Sequence, residues 1–309
     1  MNFISSSRHN RKQKIKVPRM PSNRLRYAKD SPAATAWHIL RALSIQDFPI
    51  DPKQIAAELG IVLWERELPD TCDGCLMQVG NAWGILVNAK IQSEARRKFT
   101  IAHEIGHYLL ERDSTRSCSL DEQLNAMIAE QEDDTENEKA QKQEYLLSEQ
   151  RANQFAVELL MPSPIFLVDS SSIPQVGLPA IAALASQYGT SLTSTGIHYT
   201  RLSNLVCAIV FSEAGVIRYF AYSNGFRENK DCYLNSGQQL HPDALASRFS
   251  NGTRVNEVMD DVPLNYWCQP KNLQMNGSHS TAEKYRIFEH SRRIPSTNQV
   301  MTFLHLPAD

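Results

Sequence analysis

Within "RRKFTIAHEIGHYLLE" (96–111), His103, Glu104 and His107 interrupt a run that otherwise has the apolar spacing of a packed helix. In an α-helix, four residues advance about 6 Å along the axis and about 40° around it, so His103 and His107 stack on one face. Two neutral imidazoles so placed can both reach one Zn²⁺ at about 2.0–2.1 Å. Glu104, three residues before His107, can serve the ion's open position as the base for a water. Packing alone would favour leucine at these positions.

A catalytic ion needs a third protein ligand and keeps a fourth position for water or substrate. The natural donor is a carboxylate on the next helix, and "EQRANQFAVELLMP" (149–162) opens with Glu149. Asn153, one turn later, can accept the far ring proton of a ligand histidine and fix its tautomer. Gly106 has no side chain and would let the two helices approach closely. Glu144 and its neighbours lie in an acidic run too loose to fix an oxygen, and Glu158 faces the opposite side of the 149 helix.

The surrounding elements follow from caps and periodicity. "SPAATAWHILRALSI" from Ser31 and "DPKQIAAELG" from Asp51 each pair a capping side chain with proline at the first helical position. "IVLW" reads as a strand, and "CLMQVG" and "AWGILVNA" as a hairpin ahead of the histidine helix. Between 119 and 147 the chain turns acidic, with little apolar pattern, and reads as an inserted mobile excursion. A Ser and Pro linker at 169–179 precedes two helices at the alanine and glycine spacing of a helix-turn-helix. Beyond 204, "NLVCAIVF", "VIRYFAYS", "LNYWCQ", "KYRIFEH" and "QVMTFLHL" alternate with turns.

The expected organisation is therefore α+β. It comprises a basic tail (1–30), a catalytic domain (31–168) of helices and a small mixed sheet, a helix-turn-helix-like segment (169–203), and a sheet-rich C-terminal domain (204–309). The formal charge of −2 over 309 residues gives no global case for nucleic acid or membrane. No stretch approaches the roughly 18 apolar residues that span a bilayer, so a soluble, cytoplasmic protein is expected. The six cysteines are sparse enough to be read as reduced thiols. "CDGC" (72–75) lacks the second pair that a zinc ribbon needs and reads as a turn at Gly74 between strands.

With these residues, "RRKFTIAHEIGHYLL" (96–110), "EQRANQFAVELLMP" (149–162), "PIDPKQIAAELGI" (49–61) and "GILVNA" (84–89), the sequence resembles the ImmA/IrrE family of zinc metallopeptidases over about 31–165. The resemblance implies a zincin-like, gluzincin-type fold with His103, His107 and Glu149 as ligands of one Zn²⁺, Mn²⁺ being an alternative, and Glu104 as base. It implies cleavage of an XRE-type helix-turn-helix repressor in a stress response or mobile element, and a GAF-like sensory domain at the C-terminal end. The acidic insertion and Arg151, where a second glutamate is often found, depart from the family pattern.

Under this reading the strand Gly84, Ile85, Leu86, Val87 and Asn88 lines the cleft and pairs with an extended substrate. Tyr199, His198 and Arg201 are candidate donors to the developing oxyanion. The rival reading is a non-proteolytic regulator that binds DNA or sequesters a repressor, with zinc purely structural. Arg201 is the lone fixed cation of the 178–203 helices, which argues against DNA. Glu104 argues against a structural ion, which has no use for a base. The sequence sets no oligomeric state.

Overall fold

The structure, a computed structural model, describes residues 31–111, 136–228, 232–251, 256–268, 285–294 and 297–306. The basic tail and the first part of the acidic stretch lie outside the described residues. Helix α1 (Pro32–Ala42) starts where the Ser31 hydroxyl accepts the Ala34 N–H, and α2 (Pro52–Glu58) where Asp51 accepts the Lys53 N–H. Gly60, at φ +71°, turns the chain out of α2 into β1 (Ile61–Arg66).

The hairpin β2 (Gly74–Val79) and β3 (Ala82–Asn88) completes a three-stranded sheet in the order β1-β3-β2, with β1 parallel and β2 antiparallel to β3. Ile61, Ile85 and Val87 point from one face into the helical core, the period of two expected of strands. Against that face lies α3 (Glu94–Glu111), and along it runs α4 (Glu136–Leu160). Residues 136–147 thus continue into a regular helix, and Glu149 stands in its middle rather than at its start. The predicted stripe Ala152, Phe155, Ala156, Leu159 and Leu160 is buried.

Pro162 and Pro164 end α4, and α5 (Ser163–Ser172) begins at once, capped by Glu158, which accepts the Ser163 N–H at 3.1 Å and its hydroxyl at 2.5 Å. The boundary expected at 168/169 therefore falls inside a helix, anchored by buried Ile165 and Phe166. Next come α6 (Leu178–Tyr188) and α7 (Leu192–Leu202), joined at Gly189 with φ +63°. Gly196 brings α7 down onto the second sheet: a Cβ there would lie 2.4 Å from Met301 Cε and 3.6 Å from Ile209 Cγ1. Arg201 is the one exposed residue of α7.

The second sheet has the order β5-β4-β8-β7-β6, antiparallel throughout, from β4 (Val206–Glu213), β5 (Val216–Tyr222), β6 (Glu257–Pro263), β7 (Arg286–Arg293) and β8 (Gln299–Leu306). Its alternate residues serve two cores. Cys207, Ile209, Phe211, Met301 and Phe303 join the core of α3, α4, α6 and α7. Ala208, Val210, Ile287, Val300 and Leu304 pack beneath a layer carrying Phe226, Leu245, Phe249 and Trp267, with the short helix α8 (Asn224–Glu228) at its edge.

Three expectations change in this half. "LNYWCQ" is not a strand; Leu264–Tyr266 is a 3-10 turn that buries Trp267 completely. β6, "EVMDDVP", carries three acids and little alternation, as exposed edge strands do, and for that reason left no strand signal. Cys232 and Cys268 are joined in a disulfide beside Trp267, whereas Cys72, Cys75 and Cys207 are free thiols. Among the described residues no helix is long and apolar enough to cross a membrane.

Candidate metal centre

His103 and His107 project from consecutive turns of α3, and Glu149 reaches between them from α4. The helices can come this close because residue 106 is glycine: a Cβ there would sit 3.0 Å from the Phe155 ring and 3.2 Å from the Ala152 backbone. The two Nε2 atoms are 3.0 Å apart, and the Glu149 oxygens lie 3.2 Å from His103 Nε2 and 3.3 Å from His107 Nε2. Ligands about 2.0–2.1 Å from a tetrahedral ion stand about 3.3 Å from one another, so these three donors outline one face of such a site. His103, His107 and Glu149 are the one group of potential ligands so clustered among the described residues.

The rings are held from behind. His103 Nδ1 is 3.1 Å from Asn153 Oδ1, and His107 Nδ1 is 3.0 Å from Glu111 Oε2. Because the partners are oxygen acceptors, each Nδ1 donates to them, and Nε2 is the nitrogen turned toward the cluster, the orientation a metal requires. Glu111 and its companion Ser148, whose hydroxyl donates to Glu111 Oε1, had not been singled out in the sequence. A signal was present, since Glu111 is four residues from His107 on the same helix face.

Electrostatics favour a cation here. Burial alone would lower the His107 pKa, but Glu111, Glu149 and Glu104 together raise it to about 10. Burial pushes the Glu149 carboxyl upward, yet the hydrogen bonds and charges of the two imidazoles hold it well below the usual carboxylate range. Three carboxylates thus surround two imidazoles, and a proton on His107 stands where a divalent ion would balance the charge. The donor set, geometry and charge all fit a metal.

Glu104 points to the sheet side of the cluster. It is 6% exposed, and burial raises its pKa, opposed by His103, His107 and a hydrogen bond from the Leu76 backbone. That last contact depends on Gly74, where a Cβ would lie 2.6 Å from Thr100 Cγ2 and 2.9 Å from the Leu86 carbonyl. Gly74 is the first residue of β2 rather than a turn, and it lets the strand settle onto α3. Arg96 of α3 clasps neighbouring Asp73 with two hydrogen bonds of 2.6 and 2.7 Å.

The strand expected to bind substrate is the central strand of the first sheet. β3 is the central strand, hydrogen-bonded on both sides, so Gly84, Ile85, Leu86, Val87 and Asn88 offer no free edge. Gly84 lies under the Trp64 indole, and Ile85 and Val87 are core residues. Asn88 is buried and holds the loop before β2, its amide donating to the carbonyls of Leu68, Pro69 and Cys72 while its oxygen accepts the Leu68 and Lys90 N–H groups. Among the described residues, the sheet edge beside Glu104 is β2.

The expected oxyanion donors are not brought to the cluster. His198 is buried with its ring 4.7 Å from that of Phe166, and burial lowers its pKa to about 4. Tyr199 packs against Phe303 and hydrogen-bonds the Gly177 backbone. Arg201 faces solvent at the end of α7. Helix α7 is held between α5 and the second sheet, His198 against Phe166 and Tyr199 against Phe303.

No curated protein matches the chain. The family model of the IrrE N-terminal-like domain, Peptidase_M78, matches residues 56–195, a span that contains α3, α4 and every residue of the cluster. Residues 56–195 are therefore similar to the IrrE N-terminal-like domain of the M78 peptidase family.

Proposed function

We propose that the protein is a metal-dependent endopeptidase, with His103, His107 and Glu149 holding one Zn²⁺, or Mn²⁺ in its place, and Glu104 acting as general base. The observation that carries this reading is Glu104 itself: a buried carboxylate beside three convergent donors, yet outside the donor set. A purely structural ion has no use for such a neighbour. The ion would supply Lewis acidity toward the scissile carbonyl and the attacking water.

The remaining steps belong to the chain. Glu104, its pKa raised by burial toward the working range of a base, takes a proton from the attacking water and passes it to the departing amine. The Leu76 N–H holds the Glu104 carboxylate in place. The edge strand β2, with no further strand beside it among the described residues, orients an extended substrate backbone, reading main chain rather than one side chain. Asn153 and Glu111 keep both imidazoles from rotating.

The substrate we favour is a helix-turn-helix repressor of the XRE type, cut inside the cell to relieve repression, as the resemblance to the ImmA/IrrE family implies. The five-stranded second sheet supports a GAF-like sensory role for the C-terminal half. Purified protein loaded with Zn²⁺ or Mn²⁺ should cut a repressor encoded beside its gene at a discrete bond. Glu104→Gln should still bind the ion and leave the repressor whole. If Glu104→Gln cuts as fast as the parent, the assigned base is wrong. If neither cuts but both hold the repressor, sequestration is the better reading.

A further inference from the structure

The two imidazoles of the cluster are held by unlike partners. His103 Nδ1 meets the neutral amide oxygen of Asn153 at 3.1 Å, whereas His107 Nδ1 meets the Glu111 carboxylate at 3.0 Å. The second Glu111 oxygen accepts the Ser148 hydroxyl, which also lies 3.4 Å from His107 Nδ1. Ser148 immediately precedes Glu149. One carboxylate thus touches the ring of His107 and the residue beside Glu149, on two different helices.

Its position needs an explanation. Glu111 is partly buried, its side chain 27% exposed, in the turn of α3 that follows His107. A partly buried carboxylate with one oxygen on His107 of α3 and the other on Ser148 of α4 is placed to act on the cluster.

We propose that Glu111 is the positioning residue of this metal centre and that Ser148 is its relay to Glu149. Glu111 fixes His107 as the Nδ1–H tautomer with Nε2 bare, and its charge makes that imidazole a stronger donor than His103. By accepting the Ser148 hydroxyl it also sets the height of α4 against α3, and so the reach of the Glu149 carboxylate. The site is built unevenly, with more of its affinity resting on the His107 side. This inference rests on the reading that His103, His107 and Glu149 bind a divalent ion.

The test is the Zn²⁺ affinity of the full chain, measured by competition with a chromophoric chelator, alongside the melting temperature of the metal-free protein. Glu111→Gln keeps an acceptor of similar shape but removes the charge; it should weaken Zn²⁺ binding about 10- to 100-fold while the metal-free protein melts as the parent does. Ser148→Ala should weaken it several-fold. Asn153→Asp in the Glu111→Gln background moves the carboxylate to the other imidazole and should recover much of the loss, which a packing defect would not do.

Zn²⁺ affinity of Glu111→Gln within twofold of the parent overturns the proposal, as does a loss that Asn153→Asp leaves untouched. If Glu111→Gln does not fold, Ser148→Ala decides, and an affinity equal to the parent's counts against the relay and the proposal with it. A parent that binds no Zn²⁺ at one equivalent sinks the metal reading itself, an outcome distinct from these.

Discussion

Glu104 and Glu289 are both buried carboxylates whose pKa values are raised by desolvation, one in each half of the molecule. Glu289, on β7, is fully buried and accepts four donors: the N–H groups of Leu245 and Ala246 at 3.1 and 2.6 Å, Trp267 Nε1 at 2.8 Å and the Ser291 hydroxyl at 3.0 Å. Its lone pairs are spent, and what they secure is the layer packed beneath the second sheet. Glu104 has the Leu76 backbone as donor and stands beside the two imidazoles of its own helix. Burial by itself is common to both. The lesson is that a buried acid is read by its partners: a full complement of donors makes a structural pin, and a partial one beside convergent ligands leaves an acid free to accept a proton.

The contrast breaks most visibly at Glu104. Glu104→Gln should lower the turnover of a cleaved substrate about 10²- to 10⁴-fold while the melting temperature holds, measured by steady-state cleavage and thermal denaturation. Glu289→Leu should do the reverse. With its four donors orphaned, the protein should lose about 3–5 kcal/mol in urea denaturation, and metal affinity should be unchanged. Metal affinity that fell along with stability in Glu289→Leu would mean that the two halves do not divide labour as their hydrogen bonds suggest.

The seam between the halves gives a third comparison through pH. His198 is buried and neutral in the fold with a pKa near 4, against about 6.5 in the unfolded chain. A lowered folded pKa means that the unfolded state binds more protons between these values. His198 therefore contributes nothing adverse above about pH 6.5 and costs up to about 3 kcal/mol as pH falls toward 4. Urea denaturation at pH 7 and pH 4.5 should show this acid-side loss in the parent and a smaller one in His198→Gln. Smaller still is the expected effect of Gly106→Ala, about 1–3 kcal/mol from pressing α3 away from Ala152 and Phe155, with metal affinity reduced because Glu149 recedes with α4.

The parts of the site that could be read from the chain are those fixed by helical spacing. His103 and His107 must share a face whatever surrounds them, and Glu149 and Asn153 are one turn apart on the next helix. Gly106 was legible because a gap in an otherwise bulky helix asks for a close neighbour. Glu111 obeyed the same spacing and was passed over, since an acid at a helix end looks like solvated surface until His107 is seen to turn toward it. The β2 edge was not legible in the same way, because "GILVNA" and "CLMQV" carry similar apolar runs and only pairing decides which is central. β6 hid behind its acids, and the burial of Trp267 in a 3-10 turn made a strand-like "LNYW" into something else.

The sequence alone determined local geometry: caps, helical faces, the one-face spacing of two histidines, and the strand character of β4 and β8. Those features depend on a few covalently linked neighbours and on fixed backbone periods. Tertiary structure decided which described strand forms the sheet edge beside Glu104, which buried acid is satisfied, and that α7 carries His198 against Phe166 and Tyr199 against Phe303 and not toward the metal-site donors. These depend on partners many residues away, and the free energy that selects them comes from shared burial and hydrogen bonding across the whole fold, which no single stretch encodes.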